Sequence, residues 1–381
     1  MAAPAHHIFL IPGMFGFGRL AGYDYFEHVE RALGQRLDEG GRRVRMEIVS
    51  TPPTASIRRR ARVVAETVHA ALGGDRDAHV HLIGHSTGGL DARLLASPTV
   101  NLTMPAEQLE WTKQIRTVVT MNAPHYGTPL AGFFATVSGT RLLYALSLLT
   151  FTTLRYGGPP LTVFSSLVAA IGGLDEALGI DVKLLDGTTD LILRFIGDDG
   201  RREVHLWLDG VRQDQGGIIQ LMPESMDIFN AAAEDAPNVR YGSVVTSSPP
   251  PVPVRLATRI RSPYAALTAA IYATLYQVTS RENKCYPCPA PIGENLSVLE
   301  AGIGREVTGS ACDGIVPTLS MVWGRLLWAG RGDHLDIVGH FQDDEDPATH
   351  IDWLWSGSSF TRRRFQDAMS AVARFILLDE V

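Results

Sequence analysis

The run His79-Val80-His81-Leu82-Ile83 leads straight into Gly84-His85-Ser86-Thr87-Gly88, and Gly88-Gly89-Leu90-Asp91-Ala92-Arg93 leads out of it. The first five residues read as a buried strand, and the residues from Gly88 onward as a helix. Between them lies a G-x-S-x-G pentapeptide, the pattern of a serine held in a sharp strand-to-helix turn. Sterics explain the glycines: the neighbours two residues either side of a strained serine must lack side chains. The helix N-terminus behind it offers backbone N–H groups and the positive end of a dipole to a developing oxyanion. The pentapeptide alone is a weak signal. Its strand and helix make Ser86 a candidate nucleophile in preference to a capping serine in a tight turn.

The same alternation extends on both sides. His7 to Ile11 is a strand that stops at Pro12-Gly13, and Tyr23 to Leu37 carries Phe26, Val29, Leu33 and Leu37 at helical spacing. Val44 to Val49 reads as a strand and Ile57 to Leu72 as a helix, with Arg58, Arg59, Arg60 and Arg62 forming a solvated face near its start. Ile115 to Met121 is a fourth strand. Strands alternating with helices predict an α/β fold, a mostly parallel sheet with helices on both faces and right-handed crossovers. The pattern breaks at residues 130–196, an apolar stretch with few charges before Asp175. It reads as a helical cap or lid over the C-terminal end of the sheet, the plainer alternative being a pair of buried helices. Asn238 to Val245 resumes the strands, Ser247 to Pro253 is a stiff proline-rich loop, and Tyr264 to Val278 is helical within a second insertion, 249–290. A last helix, Thr361 to Leu378, has one apolar stripe of Phe365, Met369, Val372 and Ile376. No internal repeat is visible, and residues 1–381 read as a single domain.

Composition removes several classes of function. With 34 basic against 41 acidic residues, the net charge of −7 gives no electrostatic reason to seek nucleic acid or an anionic membrane. A content of 45% hydrophobic and 20% charged residues excludes disorder and coiled coil. The longest apolar run, Leu142 to Leu154, is too short to span a bilayer. Residues 1–7 lack the charged and apolar regions of a secretion signal, so the expected address is cytoplasmic as the sequence stands, or extracellular if an export segment has been removed. Cys285-Tyr286-Pro287-Cys288 has no second pair to complete a zinc site and reads as two loop thiols, or a local disulfide under oxidant.

A serine at its ordinary pKa needs a base, and the base needs an orienting acid. With a nucleophile on such a turn, the acid and then the histidine follow in chain order. His334, His340 and His350 lie late enough, and His334, in Arg331-Gly332-Asp333-His334-Leu335-Asp336, follows the apolar run from Leu319 to Ala329. Asp313 sits in the turn Cys312 to Pro317 between apolar segments. Asp209, Asp214 and Asp227 are weaker candidates, and Asp333 and Asp336 are too near His334 in sequence to orient its ring. The glycine-rich Pro12 to Gly16 loop after the first strand can bring the Met14 N–H toward a reacting oxygen, with the Thr87 N–H as its partner. Phe15 and His125 are candidate substrate-binding side chains.

These pieces together resemble the true lipases of bacterial family I, the Pseudomonas and Burkholderia triacylglycerol lipases. They are Ile11 to Phe17, Leu82 to Gly89, Asn122 to Thr128, Leu221 to Ser225, Asp313 to Val316 and His334 to Asp336, in order along most of the chain. The resemblance implies an α/β-hydrolase fold with a helical lid, a Ser86–Asp313–His334 triad and an oxyanion hole of Met14 and Thr87. The chain departs from the family where Pro12 stands in place of a histidine before the first oxyanion-loop glycine, and in lacking a visible signal. Several members bind a structural calcium near the histidine. Asp336 matches one ligand, no upstream aspartate matches the other, and His340 stands where glutamine is frequent. No cofactor or metal is therefore expected, structural calcium remaining the one candidate.

The resulting expectation is a serine carboxylic-ester hydrolase acting on hydrophobic acyl esters, at a lipid or polymer interface, with no nucleic-acid partner and no transmembrane segment. Three alternatives stand beside it: a depolymerase of polyhydroxyalkanoate or another aliphatic polyester, an acyltransferase with the same triad, and a non-enzymatic binder of hydrophobic ligands.

Overall fold

The computed structural model describes residues 4–39, 44–156, 198–251, 263–304, 307–343 and 350–378. Six parallel strands form the sheet: β1 (His6–Ile11), β4 (Val44–Ile48), β5 (His79–His85), β6 (Ile115–Met121), β7 (Arg240–Ser247) and β8 (Arg325–Arg331). Their spatial order is β4-β1-β5-β6-β7-β8. β1 and β5 are buried almost throughout, which is why β1 is continuously apolar from Ile8 to Ile11 instead of alternating. The chain steps outward from β1 to β4 and then back across β1 to β5. That reversal opens a crevice beyond the carboxyl ends of β1 and β5, where ligands bind in open α/β sheets. β1 and β5 pair up to Ile11 opposite Gly84, so the loops that leave them are neighbours.

Helices cover both faces. α1 (Glu27–Glu39) and α11 (Arg362–Leu377) share one core with Ile8, Leu10 and Val119 of the sheet. α2 (Ile57–Leu72) and α3 (Thr87–Ala96) share another with Phe9, Val80 and Leu82. The alternation of side chains along each strand sorts these residues to the two faces. α10 (Gly293–Ile303) closes the far edge, Leu299 and Ile303 packing on Val245 and Leu326.

Two local readings change. Tyr23 is not helical: Tyr23–Asp24 (β3) pairs antiparallel with Arg19–Leu20 (β2), and α1 starts at Glu27. Ala21 (φ 49°) and Gly22 (φ 80°) make the two-residue reversal, a conformation that suits strand twist, and Arg19 pairs with Asp24 across it. The arginine cluster is not wholly a solvated face. Arg60 is 1% exposed, because helical spacing places it beside Ile57, Ala61 and Val64 on the buried side of α2.

The 130–196 stretch contributes α4 (Pro129–Phe134) and α5 (Val137–Tyr156), and its remainder lies outside the described residues. Residues 142–153 of α5 are all buried. α6 (Asp198–Gln213), α7 (Gly216–Gln220) and α8 (Pro223–Ala232) return the chain to β7. The second insertion supplies α9 (Pro263–Thr279), whose Tyr272 hydroxyl donates to the Pro249 carbonyl. The loop thiols Cys285 and Cys288 are not joined. Among the described residues, no helix is long and apolar enough to cross a membrane.

Candidate active site

Ser86 stands on the turn between β5 and α3 with φ 53° and ψ −127°, a conformation L-residues rarely adopt. Packing holds it there. A Cβ on Gly84 would meet the Gly88 carbonyl carbon at 2.2 Å, and one on Gly88 would meet the Ile11 carbonyl oxygen at 2.2 Å. The glycines thus let α3 start against both β5 and the end of β1. The Ser86 N–H donates to the Met121 carbonyl (2.8 Å).

Asp313 and His334 come together from either side of β8. The His334 Nδ1 lies 2.6 Å from Asp313 Oδ2. A carboxylate only accepts, so Nδ1 carries the proton and Nε2 is left as the acceptor that a general base needs. The other carboxylate oxygen, Oδ1, accepts from the Ile315 and Val316 N–H groups (2.8 and 2.7 Å), which locks the aspartate. The His334 carbonyl accepts from His85 Nε2 (2.9 Å) and Asn122 Nδ2 (3.3 Å). Because that bond fixes the His85 tautomer, the Tyr25 hydroxyl donates to His85 Nδ1 (2.8 Å). Burial holds the His85 ring well below the usual histidine range, so it stays neutral beside His334.

Ser86 and His334 line one cavity of about 70 Å³ together with Met14 and Phe15 of the β1 loop. Leu143, Leu146 and Thr150 of α5 and Trp353 form other parts of its largely apolar wall. No hydrogen bond joins Ser86 to His334 here. Such contacts are often long before substrate binds and tighten in the reacting complex. Among the described residues no acceptor meets the Met14 N–H. Thr87 begins α3, where helix N–H groups lack partners within the helix. Between the two loops, buried Arg60 donates to the Pro12 carbonyl (2.7 Å) and pairs with Asp91 of α3 (2.8 Å). Burial pushes the Asp91 carboxyl up to about 6 despite that arginine.

The structure sorts the remaining candidates. His340 is buried beside the Tyr23 hydroxyl (3.1 Å), and His350 Nδ1 donates to the Gly339 carbonyl (2.8 Å). Neither lines the cavity. Asp214 binds Arg59 (2.5 Å), while Asp209 and Asp227 are exposed. His125 is a correction. It is fully buried away from the cavity, its Nδ1 facing Arg93 (3.1 Å), its Nε2 facing Thr120 (3.0 Å) and its ring near Trp323. Its ring is held between Arg93 of α3 and Thr120 of β6. Sequence reasoning missed Arg60, His85 and Trp353, whose roles arise from contacts between distant segments.

Asp333 and Asp336 are buried next to the histidine and do not touch its ring. Asp333 accepts from the Ser356 hydroxyl (2.7 Å), and Asp336 accepts from the Ser358 hydroxyl (2.7 Å) and the Asp333 N–H (2.8 Å). With Asp352 they bring three carboxylate oxygens within 4.8 Å of one another. Burial first, and then the neighbouring carboxylates, hold all three above the usual carboxyl range. Three carboxyl oxygens from one loop and one adjoining segment form a hard donor set that, on losing its protons, would suit a divalent cation such as calcium.

A 90-residue stretch of the chain is 39% identical to a triacylglycerol lipase of Vibrio cholerae serotype O1, covering 24% of this chain and 27% of that protein. This match therefore spans about a quarter of that relative's length. No family model matches the chain. EstA from Clostridium botulinum superposes with a TM-score of 0.52 at 19% identity, covering 97% of this chain and 87% of that one. The chain has the α/β-hydrolase fold. Lipase 1 from Pelosinus fermentans gives 0.51 at 15% identity, covering 100% of this chain and 99% of that one. In α/β-hydrolases a nucleophile on a strand-to-helix turn stands at the top of the sheet, opposite a donor loop from an earlier strand. Ser86 stands on the turn between β5 and α3, and the Met14 loop leaves the neighbouring strand β1.

Proposed function

We propose that this α/β-hydrolase is a serine carboxylic-ester hydrolase for hydrophobic acyl esters, related to the Pseudomonas and Burkholderia triacylglycerol lipases. One observation carries the reading: Ser86, His334 and the Met14 loop open into the same apolar cavity, with Asp313 locked behind the histidine. The Ser86 Oγ adds to the ester carbonyl while His334 Nε2 takes its proton, and Asp313 stabilises the imidazolium. The Met14 and Thr87 N–H groups receive the negative oxygen. The carbonyl–alkoxy bond then breaks as His334 returns the proton to the departing alcohol. Water repeats the sequence on the acyl-enzyme, releasing the carboxylic acid and freeing Ser86. The apolar α5 wall favours an alkyl chain over a polar acyl group, since removing each CH₂ from water contributes about 0.8 kcal/mol. A lipid or polymer surface is the setting we assign to such a substrate.

Hydrolysis of p-nitrophenyl esters from acetyl to palmitoyl tests this reading. kcat/KM should rise by at least about tenfold from acetyl to the best longer chain, as burial of two or more CH₂ groups requires. A maximum at acetyl would overturn the hydrophobic acyl assignment, and absence of hydrolysis would overturn the enzymatic one.

The same reading includes a structural calcium ion held by Asp333, Asp336 and Asp352. The ion would supply charge neutralisation to three buried carboxylates and so brace the loop that bears His334. Calcium should raise the melting temperature of the wild type relative to chelator by several degrees, and that gain should disappear in Asp352→Asn. A calcium-independent wild-type melting temperature would exclude the ion.

A further inference from the structure

The oxyanion loop is unusually well tied at its carbonyls. The Pro12 oxygen accepts from Arg60 Nη2 (2.7 Å), and the Gly13 oxygen accepts from the Gly16 N–H (2.9 Å). The Met14 oxygen accepts from the Thr54 N–H (2.7 Å), and the Gly16 oxygen from the Thr51 N–H (2.7 Å). These anchors belong to the loop itself, to α2 and to the segment before it. The Phe15 oxygen is different. It accepts from the indole Nε1 of Trp207 at 2.6 Å, and Trp207 belongs to α6, in the chain inserted between β6 and β7.

That indole is held on several sides. Its ring meets Phe15 edge-on at 6.2 Å and Phe17 at 5.6 Å, and Phe151 of α5 lies 6.4 Å away. One turn earlier on the same face of α6, the Glu203 carboxylate accepts from the Ala21 N–H (2.9 Å). α6 thus bonds at two points to the polypeptide between β1 and α1. Packing alone would explain a buried tryptophan. It does not require the N–H to meet the main-chain carbonyl one residue beyond the oxyanion donor.

We propose that Trp207 is a positioning residue for ester hydrolysis. By holding the Phe15 carbonyl, it fixes the Phe15–Gly16 peptide, whose N–H donates to the Gly13 oxygen of the peptide that carries the Met14 N–H, and so keeps that donor aimed while the oxyanion forms. Preorganised donors stabilise the transition state because they need no reorientation during the reaction, and small misplacements cost rate steeply. The role acts through Phe15 and Met14, so Trp207 itself need not touch substrate. Its effect belongs to the transition state more than to substrate binding. The inference rests on the ester-hydrolase reading of the site.

Trp207→Phe tests it, keeping an aromatic ring and removing the N–H. The readouts are kcat and KM on a p-nitrophenyl ester, inhibition by an alkyl trifluoromethyl ketone, and the melting temperature. The ketone takes the Ser86 Oγ into a tetrahedral hemiketal, the serine proton passing to His334, so its affinity reports the oxyanion hole. We expect kcat to fall about tenfold, less than the loss of a whole donor, with KM within about twofold. Ketone affinity should fall by the same factor as kcat/KM. Unchanged kcat and ketone affinity would overturn the proposal, as would a rise in KM with kcat preserved. If the phenylalanine variant does not fold, benzothienylalanine at position 207 makes the same deletion with the ring shape kept, and the same outcomes decide. A wild type without esterase activity would instead remove the underlying reading.

Discussion

Ser86→Ala is expected to lower kcat by about 10⁶-fold while the protein melts as the wild type does, since a triad acts as a unit and its loss leaves only binding and oxyanion stabilisation. The structure gives reasons for both halves of that result. Among the described residues the Ser86 Oγ makes no hydrogen bond that the fold depends on. Its backbone at φ 53° is as strained for alanine as for serine, and that strain is held by the Gly84–Gly88 contact and the Met121 carbonyl. Removing the hydroxyl should therefore delete the nucleophile and leave its surroundings in place. KM should change by no more than a few-fold, because the apolar wall that holds the acyl chain is untouched. Steady-state kinetics and labelling by an alkyl phosphonate give the check. The wild type should take up one phosphonyl group and the variant none. A variant that keeps activity within tenfold, or is still labelled, would place the nucleophile elsewhere.

How much of this was legible in the sequence depended on how local each cause was. The elbow was readable because its steric demand falls within five residues. The pairing of Asp313 with His334 was readable from their order after the elbow, and the Asp313 to Val316 turn carries its own pair of N–H donors. Arg60 was misread because four neighbouring arginines look alike in composition. Only the helical phase shared with Ile57, Ala61 and Val64 separates the buried one, and that signal was present. Apolar spacing puts Tyr23 in a helix, although Gly22 just before it marks a hairpin turn. His125 sits in a stretch that resembles lipase sequences, and nothing local says that its ring turns to Arg93. The Trp207 bond to Phe15 links residues 192 positions apart, and Asp352 joins Asp333 across 19 residues. Pairings of that kind are products of the folded chain, and no window of sequence contains them.

Asp313→Asn is expected to cost about 10⁴-fold in kcat at neutral pH with little change in the fold, the scale seen when a triad histidine is held in the wrong tautomer. Donors and acceptors around the carboxylate fix the outcome. Asp313 Oδ1 receives two backbone N–H groups, from Ile315 at 2.8 Å and Val316 at 2.7 Å. An asparagine must keep its carbonyl oxygen there, since an amide nitrogen facing two donors would leave all three unsatisfied. Its NH₂ group then takes the place of Oδ2, 2.6 Å from His334 Nδ1. That group donates, so Nδ1 must accept and the ring proton moves to Nε2. His334 then presents a donor to Ser86 and cannot take its proton. The ring position is otherwise preserved, because His85 and Asn122 still hold the His334 carbonyl. Nitrogen chemical shifts of the His334 ring should show the proton on Nδ1 in the wild type and on Nε2 in the variant. A loss below about tenfold, with the tautomer unchanged, would mean that another carboxylate orients His334. Asp333 and Asp336 would be poor substitutes, because their oxygens are engaged by Ser356, Ser358 and the backbone of their own loop.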